Sequence, residues 1–139
     1  MKGTILILDD SQAVLDAAKA ALEAKGYEVV TSSRTVGASR HLRQTDVVII
    51  DFHMPGFDGG DVVSMLRKGA PDAACRYYLY TSDADVGRQY AALKFDGAFL
   101  RKGDTVSLVA QVDAVFRTIR MDRLTAQLRS GRTGPGETK

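Results

Sequence analysis

The chain has 139 residues, 45% apolar and 26% charged, which is the composition and size of one globular domain. No apolar stretch approaches the ~20 residues that cross a bilayer, and Met1-Lys2 lead straight into a strand-like run unlike a signal peptide. The single Cys75 has no partner for an internal disulfide and no zinc-site spacing around it, so a reducing, cytoplasmic setting is expected. The net charge of +2 is unevenly spread: six basic residues face only Asp122 and Glu137 between Arg117 and Lys139, so that tail carries +4 and residues 1–116 carry −2.

Short apolar runs alternate with amphipathic stretches. Thr4–Leu8 is a continuous apolar run ended by Asp9-Asp10, the pattern of a strand buried on both faces. Val14, Ala17, Ala18, Ala21 and Leu22 then recur at helical spacing up to Gly26, with Ser11 or Asp10 placed to cap the start. Tyr27–Thr31 reads as a second strand, Val36–Gln44 as a weak helix, and Val47–Ile50 as a third strand that again ends in an acid, Asp51. Met54-Pro55-Gly56 and Asp58-Gly59-Gly60 are dense turn chemistry. A helix over 61–68, a strand over Arg76–Tyr80, a helix over 83–93 and a strand over Ala98–Leu100 follow, and a last helix starts near Asp104. Its apolar positions Val109, Val112, Val115, Phe116 and Ile119 are expected to pack on the sheet. The pattern then runs on through Leu124 and Leu128, with arginines between them. This gives a folded body over residues 1–118 and a helical extension with a polar tail over 119–139.

Five βα units in about 120 residues predict an α/β fold, one doubly wound parallel sheet with helices on both faces. In such sheets ligands bind outside the carboxyl ends of the strands. The residues just past those ends are Asp9-Asp10, Asp51, Thr81-Ser82 and Lys102. Carboxylates clustered this way repel: two unit charges ~4 Å apart interact by about 4 kcal/mol at an effective dielectric near 20. A hard divalent cation relieves the repulsion, and Mg²⁺ is commonly held by one or two carboxylates plus waters and phosphate oxygens. Metal and ammonium for charge, a hydroxyl for an oxygen, and a carboxylate nucleophile suit a phosphoryl group.

These residues resemble the receiver domain of two-component response regulators. The likeness rests on Leu8-Asp9-Asp10, on Asp51 followed by Met54-Pro55-Gly56 and Asp58-Gly59, on Thr81-Ser82, and on Phe99 three residues before Lys102; it covers about residues 3–118. It implies a flavodoxin-like (βα)5 fold with strand order 2-1-3-4-5. It also implies that Asp51 accepts a phosphoryl group from a histidine kinase or a histidine phosphotransfer protein. Asp9, Asp10, Asp51 and the backbone carbonyl of His53 would hold Mg²⁺. Thr81 and Lys102 would bind phosphoryl oxygens, and Phe99 would change rotamer as Thr81 moves. The output would be a change in protein contacts on the face of the fourth helix, fifth strand and fifth helix.

Three positions depart from the family pattern. Gly103 follows Lys102 where proline is usual, so a trans bond is expected there, since a non-proline cis bond costs about 2.5–4 kcal/mol. Ser82 replaces a usual alanine, and Phe99 lacks the hydroxyl of the common tyrosine. Elsewhere, His41 reads as a surface residue, Tyr78 and Tyr80 as core, and Cys75 as a small buried hydrophobe. The expected function is a stand-alone response regulator that signals by protein contact, with a homodimer through the last helix as one option, no DNA-binding domain and no membrane partner. The alternative is a pseudo-receiver that takes no phosphate and serves as a constitutive interaction module. An aspartyl-phosphate phosphatase places a second acid two residues after its nucleophile, where this chain has His53, and DNA binding by the arginine-rich tail lacks a helix-turn-helix pattern.

Overall fold

The computed structural model describes residues 2–52 and 59–130. Five parallel strands, β1 (Thr4–Leu8), β2 (Glu28–Ser32), β3 (Val47–Asp51), β4 (Arg76–Tyr80) and β5 (Gly97–Phe99), form one sheet in the order β2-β1-β3-β4-β5. This is the flavodoxin-like order that the family resemblance implies. The apolar runs explain the central position of β1, β3 and β4: Ile5–Leu8 and Val47–Ile50 are wholly inaccessible, as strands covered on both faces must be.

Register sorts the side chains. Leu8, Ile50, Leu79 and Ala98 share one row, as do Leu6, Val48 and Tyr77 two residues earlier. These face a core built with Leu42, Val62, Val63, Leu66 and Phe95. Ile5, Ile7, Val47, Ile49, Tyr78 and Tyr80 point to the other face. There α1 (Gln12–Glu23) brings Val14 and Ala18 to a hollow shared with Tyr80. Ser11 caps α1, its hydroxyl accepting from the Val14 N–H at 3.3 Å. The buried stripe of α1 is Leu15, Ala18 and Leu22; Ala17 is exposed, one position off the expected face.

Two expected helices change form. Residues Ala38–Gln44 form a 3₁₀ helix that starts from Gly37 in the left-handed region (φ 81°) without a side-chain cap. Only Ala38 and Leu42 of this segment are buried, and the Thr45 hydroxyl closes it by donating to the His41 carbonyl at 2.7 Å. The helix expected over 83–93 is regular only across α3 (Ala84–Arg88). Asp83 caps it through the N–H groups of Asp85 and Val86. Its Ala-Asp-Val-Gly-Arg sequence is rich in weak helix formers, and the next amides fall back to carbonyls three residues away, from Gln89 to Val86 and from Tyr90 to Gly87.

The backbone divides into two compact units, residues 1–109 and 110–139, the division falling within α4 (Thr105–Arg129). Asp104 caps α4, accepting from the Ser107 N–H at 3.0 Å. α2 (Gly59–Gly69) completes the helices. Along α4, Leu108, Val112, Phe116 and Ile119 are buried, whereas Met121, Leu124 and Leu128 are exposed. Leu124 and Leu128 therefore do not extend the buried stripe. Leu128 lies nine positions after Ile119, two and a half turns at ~3.6 residues each, and so projects from the opposite side. No helix among the described residues is long and apolar enough to cross a membrane.

Candidate functional site

One step beyond the buried row of Leu8, Ile50, Leu79 and Ala98 come Asp9, Asp51, Tyr80 and Phe99, and the pairing of Asp51 with Tyr80 and of Tyr80 with Phe99 continues the ladder. Parallel register alone thus brings Asp9 beside Asp51, though 42 residues separate them in the chain. Asp9 and Asp51 are buried and Asp10 is exposed at the rim; one carboxylate oxygen from each lies within 4.8 Å of the others.

The loop after β5 carries Lys102 back over this rim. The turn is tight: Arg101 and Gly103 both have positive φ (60° and 95°), and the Asp104 N–H donates to the Arg101 carbonyl at 2.9 Å. The Lys102–Gly103 bond is trans, as expected. At φ 95° proline cannot replace Gly103, since its ring holds φ near −65°. The Lys102 ammonium sits 2.9 Å from Asp9 Oδ2 and 2.9 Å from Asp51 Oδ1. Burial alone lowers its proton affinity, but the carboxylates of Asp9 and Asp51 beside it outweigh that and hold it above the ordinary lysine value.

Asp9 is held differently on its two oxygens. Oδ1 accepts from the Ser11 N–H at 2.9 Å, while the fully buried Oδ2 has the nearby ammonium but no well-directed hydrogen bond. Desolvation raises the Asp9 carboxyl above the usual carboxylate range, despite the hydrogen bond from Ser11 and the charge of Lys102. An under-coordinated buried oxygen within a set of three carboxylates fits a hard divalent cation such as Mg²⁺.

Thr81 lies next to the carboxylates, and Phe99 sits two strands from Asp51, on β5. Asp51, Thr81, Ser82, Lys102 and Tyr80 line one hollow of about 390 Å³. The Thr81 N–H donates to the Phe99 carbonyl at 3.0 Å, and the Thr81 hydroxyl oxygen accepts from the Asp83 N–H at 3.0 Å. The Phe99 ring is buried and stacked on Tyr78, with centroids 4.8 Å apart and planes 3° from parallel. Asp9, Asp10, Asp51, Thr81 and Lys102 thus converge, and Phe99 is joined to Thr81 through its carbonyl. His53, whose carbonyl is the remaining expected ligand, lies outside the described residues, as do Met54-Pro55-Gly56 and Asp58.

The sequence reading missed the role of Tyr80. It is core, 1% exposed, but its hydroxyl also accepts from the Gly103 N–H at 3.0 Å. Alternation along β4 places Tyr80 on a face; nothing in the sequence pairs it with a residue 23 positions later.

The response regulator receiver domain matches this chain over residues 5–113. The chain belongs to that family. Among curated relatives, the transcriptional regulatory protein KdpE of Mycobacterium tuberculosis is 38% identical over 65 residues, 45% of this chain and 29% of that protein. The phosphate regulon transcriptional regulatory protein PhoB of Pseudomonas aeruginosa is 25% identical over 140 residues, 98% of this chain and 55% of that protein. The receiver chain therefore spans little more than half of the longer match. Among solved structures, the chemotaxis response regulator CheY4 of Vibrio cholerae shares the fold with a TM-score of 0.68 at 21% identity, over 81% of this chain and 98% of that one. The receiver domain is a signalling module of two-component systems, and its acidic cluster is of the kind such domains use for Mg²⁺.

Proposed function

We propose that this receiver domain takes a phosphoryl group on Asp51 from the phosphohistidine of a sensor kinase or a histidine phosphotransfer protein, and that the aspartyl phosphate switches protein contacts. The observation that carries the reading is the meeting of Asp9, Asp10 and Asp51 at one point with the Lys102 ammonium between two of them. An Asp51 carboxylate oxygen attacks phosphorus, the P–N bond breaks, and its electron pair leaves with the imidazole. Mg²⁺, held by Asp9, Asp10, Asp51 and the His53 carbonyl, would neutralise charge on the phosphoryl oxygens. Lys102 stabilises one of those oxygens and Thr81 donates to another.

Both of the latter contacts exist only with the phosphoryl group in place. Hydrogen bonds to charged groups contribute roughly 1.5–3 kcal/mol each. Two of them supply about 3–6 kcal/mol, a range whose upper part covers the ~5.5 kcal/mol needed to turn a 1:99 equilibrium into 99:1. Thr81 is coupled to β5 through the Phe99 carbonyl, so its movement reaches Phe99. The surface it would bias is that of α3, β5 and α4, the fourth helix, fifth strand and fifth helix of the sequence reading; on its α3–β5 part Tyr90 and Leu100 are exposed and line a shallow hollow.

Acetyl phosphate with Mg²⁺ is expected to add a phosphoryl mass to the chain, and Asp51→Asn to abolish it, by intact-protein mass spectrometry. Equal labelling of Asp51→Asn removes Asp51 from the role. Absence of both labelling and any beryllofluoride response in the wild type favours the constitutive interaction module.

A further inference from the structure

The Lys102 turn is held in an unusual way. A left-handed Gly103 (φ 95°) lets the chain reverse, and no heavy atom lies within 4 Å of where its Cβ would stand. Glycine is thus required here by backbone conformation and not by crowding. The amide of Gly103, one residue beyond the ammonium-bearing Lys102, points inward to the Tyr80 hydroxyl at 3.0 Å. Tyr80 is anchored in the middle of the sheet edge, 1% exposed and paired with Asp51 on one side and Phe99 on the other. Its ring also lines the hollow that contains Asp51, Thr81 and Lys102. The acceptor strand and the lysine loop therefore share one rigid aromatic between them.

We infer that Tyr80 is a positioning residue: its buried hydroxyl accepts from the Gly103 amide and so fixes the turn that presents the Lys102 ammonium to a phosphoryl group on Asp51. This rests on the reading of Asp51 as the acceptor. A proline after the lysine would supply stiffness through its ring but has no N–H to give. In this chain stiffness comes from a hydrogen bond, and the rigid partner lies on a different strand. Tyr80→Phe removes one oxygen and keeps the ring. Gly103 lies in an exposed turn, so the loss falls on the loop and leaves the sheet ladder intact.

The test uses the full chain, wild type and Tyr80→Phe, with two readouts. The first is amide hydrogen exchange at Gly103 by NMR without ligand. Tyr80→Phe is expected to accelerate it about tenfold while β1 and β3 amides keep their protection. The second is calorimetric titration with beryllofluoride in saturating Mg²⁺, and with Mg²⁺ alone. The variant is expected to bind beryllofluoride five- to tenfold more weakly while its Mg²⁺ affinity is unchanged or tighter. Unaltered exchange at Gly103, or beryllofluoride affinity within twofold of wild type, overturns the role of Tyr80. A parallel loss of Mg²⁺ affinity and strand protection overturns it too, by showing a merely structural effect. Failure of the wild type to bind beryllofluoride at all sinks the acceptor reading instead, and Gly103 exchange still judges the clamp.

Discussion

Lys102 does two jobs at one atom, and its removal separates them. With the ammonium gone, Asp9 and Asp51 keep their positions in a buried site and lose the cation that sits 2.9 Å from each. Breaking a buried pair by deleting one partner is costly because the remaining charge is stranded; with Lys102 partly open to water, about 1–3 kcal/mol is expected. Lys102→Ala should therefore unfold at lower urea in chelator, and Mg²⁺ should restore more stability to it than to wild type. Its beryllofluoride affinity should fall about ten- to a hundredfold, the equivalent of one charge-assisted hydrogen bond. Gly103→Pro is a sharper case. It places the family's usual residue in this loop, yet the backbone there is at φ 95°, which proline cannot adopt, and the amide bound by Tyr80 would vanish. It is expected to weaken beryllofluoride binding, not strengthen it, in the same titration.

Strands that carry the site were legible nearly to the residue. Thr4–Leu8 lies between Gly3 and Asp9, so the apolar run and the strand coincide, and Arg76–Tyr80 has the expected bounds. β2 and β5 came out one residue displaced, because Tyr27 and Leu100 are apolar without being in the ladder. Ala84–Arg88 is the one regular part of a longer expected helix whose sequence lacks the propensity to stay helical. The last helix does run on through Leu124 and Leu128 as expected, with both exposed where Phe116 is buried. The latter difference is measurable. Phe116→Ala should cost about 3–5 kcal/mol in denaturant unfolding. Leu124→Ser with Leu128→Ser should stay within about 0.5 kcal/mol of wild type each, as exposed positions do. At the site, the acids, Thr81 and Lys102 were legible as strand-end residues. The Tyr80–Gly103 bond was not, because it depends on a loop conformation that no pattern in the sequence announces.

Besides the Asp9 carboxyl, four of the described groups, all titrating at alkaline pH, bind their protons more tightly when folded. Burial is the leading cause for Tyr77, Tyr80 and Cys75, all pushed above their ordinary values, and paired carboxylates overcome burial to raise Lys102. The sign follows from which state holds more protons. Below the ordinary values of 9.0 for the thiol, 10.0 for the phenols and 10.5 for the amine, both states are protonated and the full stability is present. As pH rises through them the unfolded chain releases protons first, so stability falls toward the folded-state values. The melting temperature should decline steadily from about pH 9 upward, and Tyr77→Phe should flatten that slope; a flat wild-type profile to pH 11 would contradict the assignment.

The doubly held ammonium has one more consequence. A lysine whose proton is secured by two carboxylates is a permanent cation at neutral pH and a poor general acid. In the transfer proposed for Asp51, it can steady the migrating group but is a poor source of a proton for the departing ring. The donor phosphohistidine must arrive with its other ring nitrogen already protonated, so that a neutral imidazole leaves, or else collect a proton from solvent. The acidity of the donor, and not of this domain, then sets how the forward rate varies with pH near neutrality.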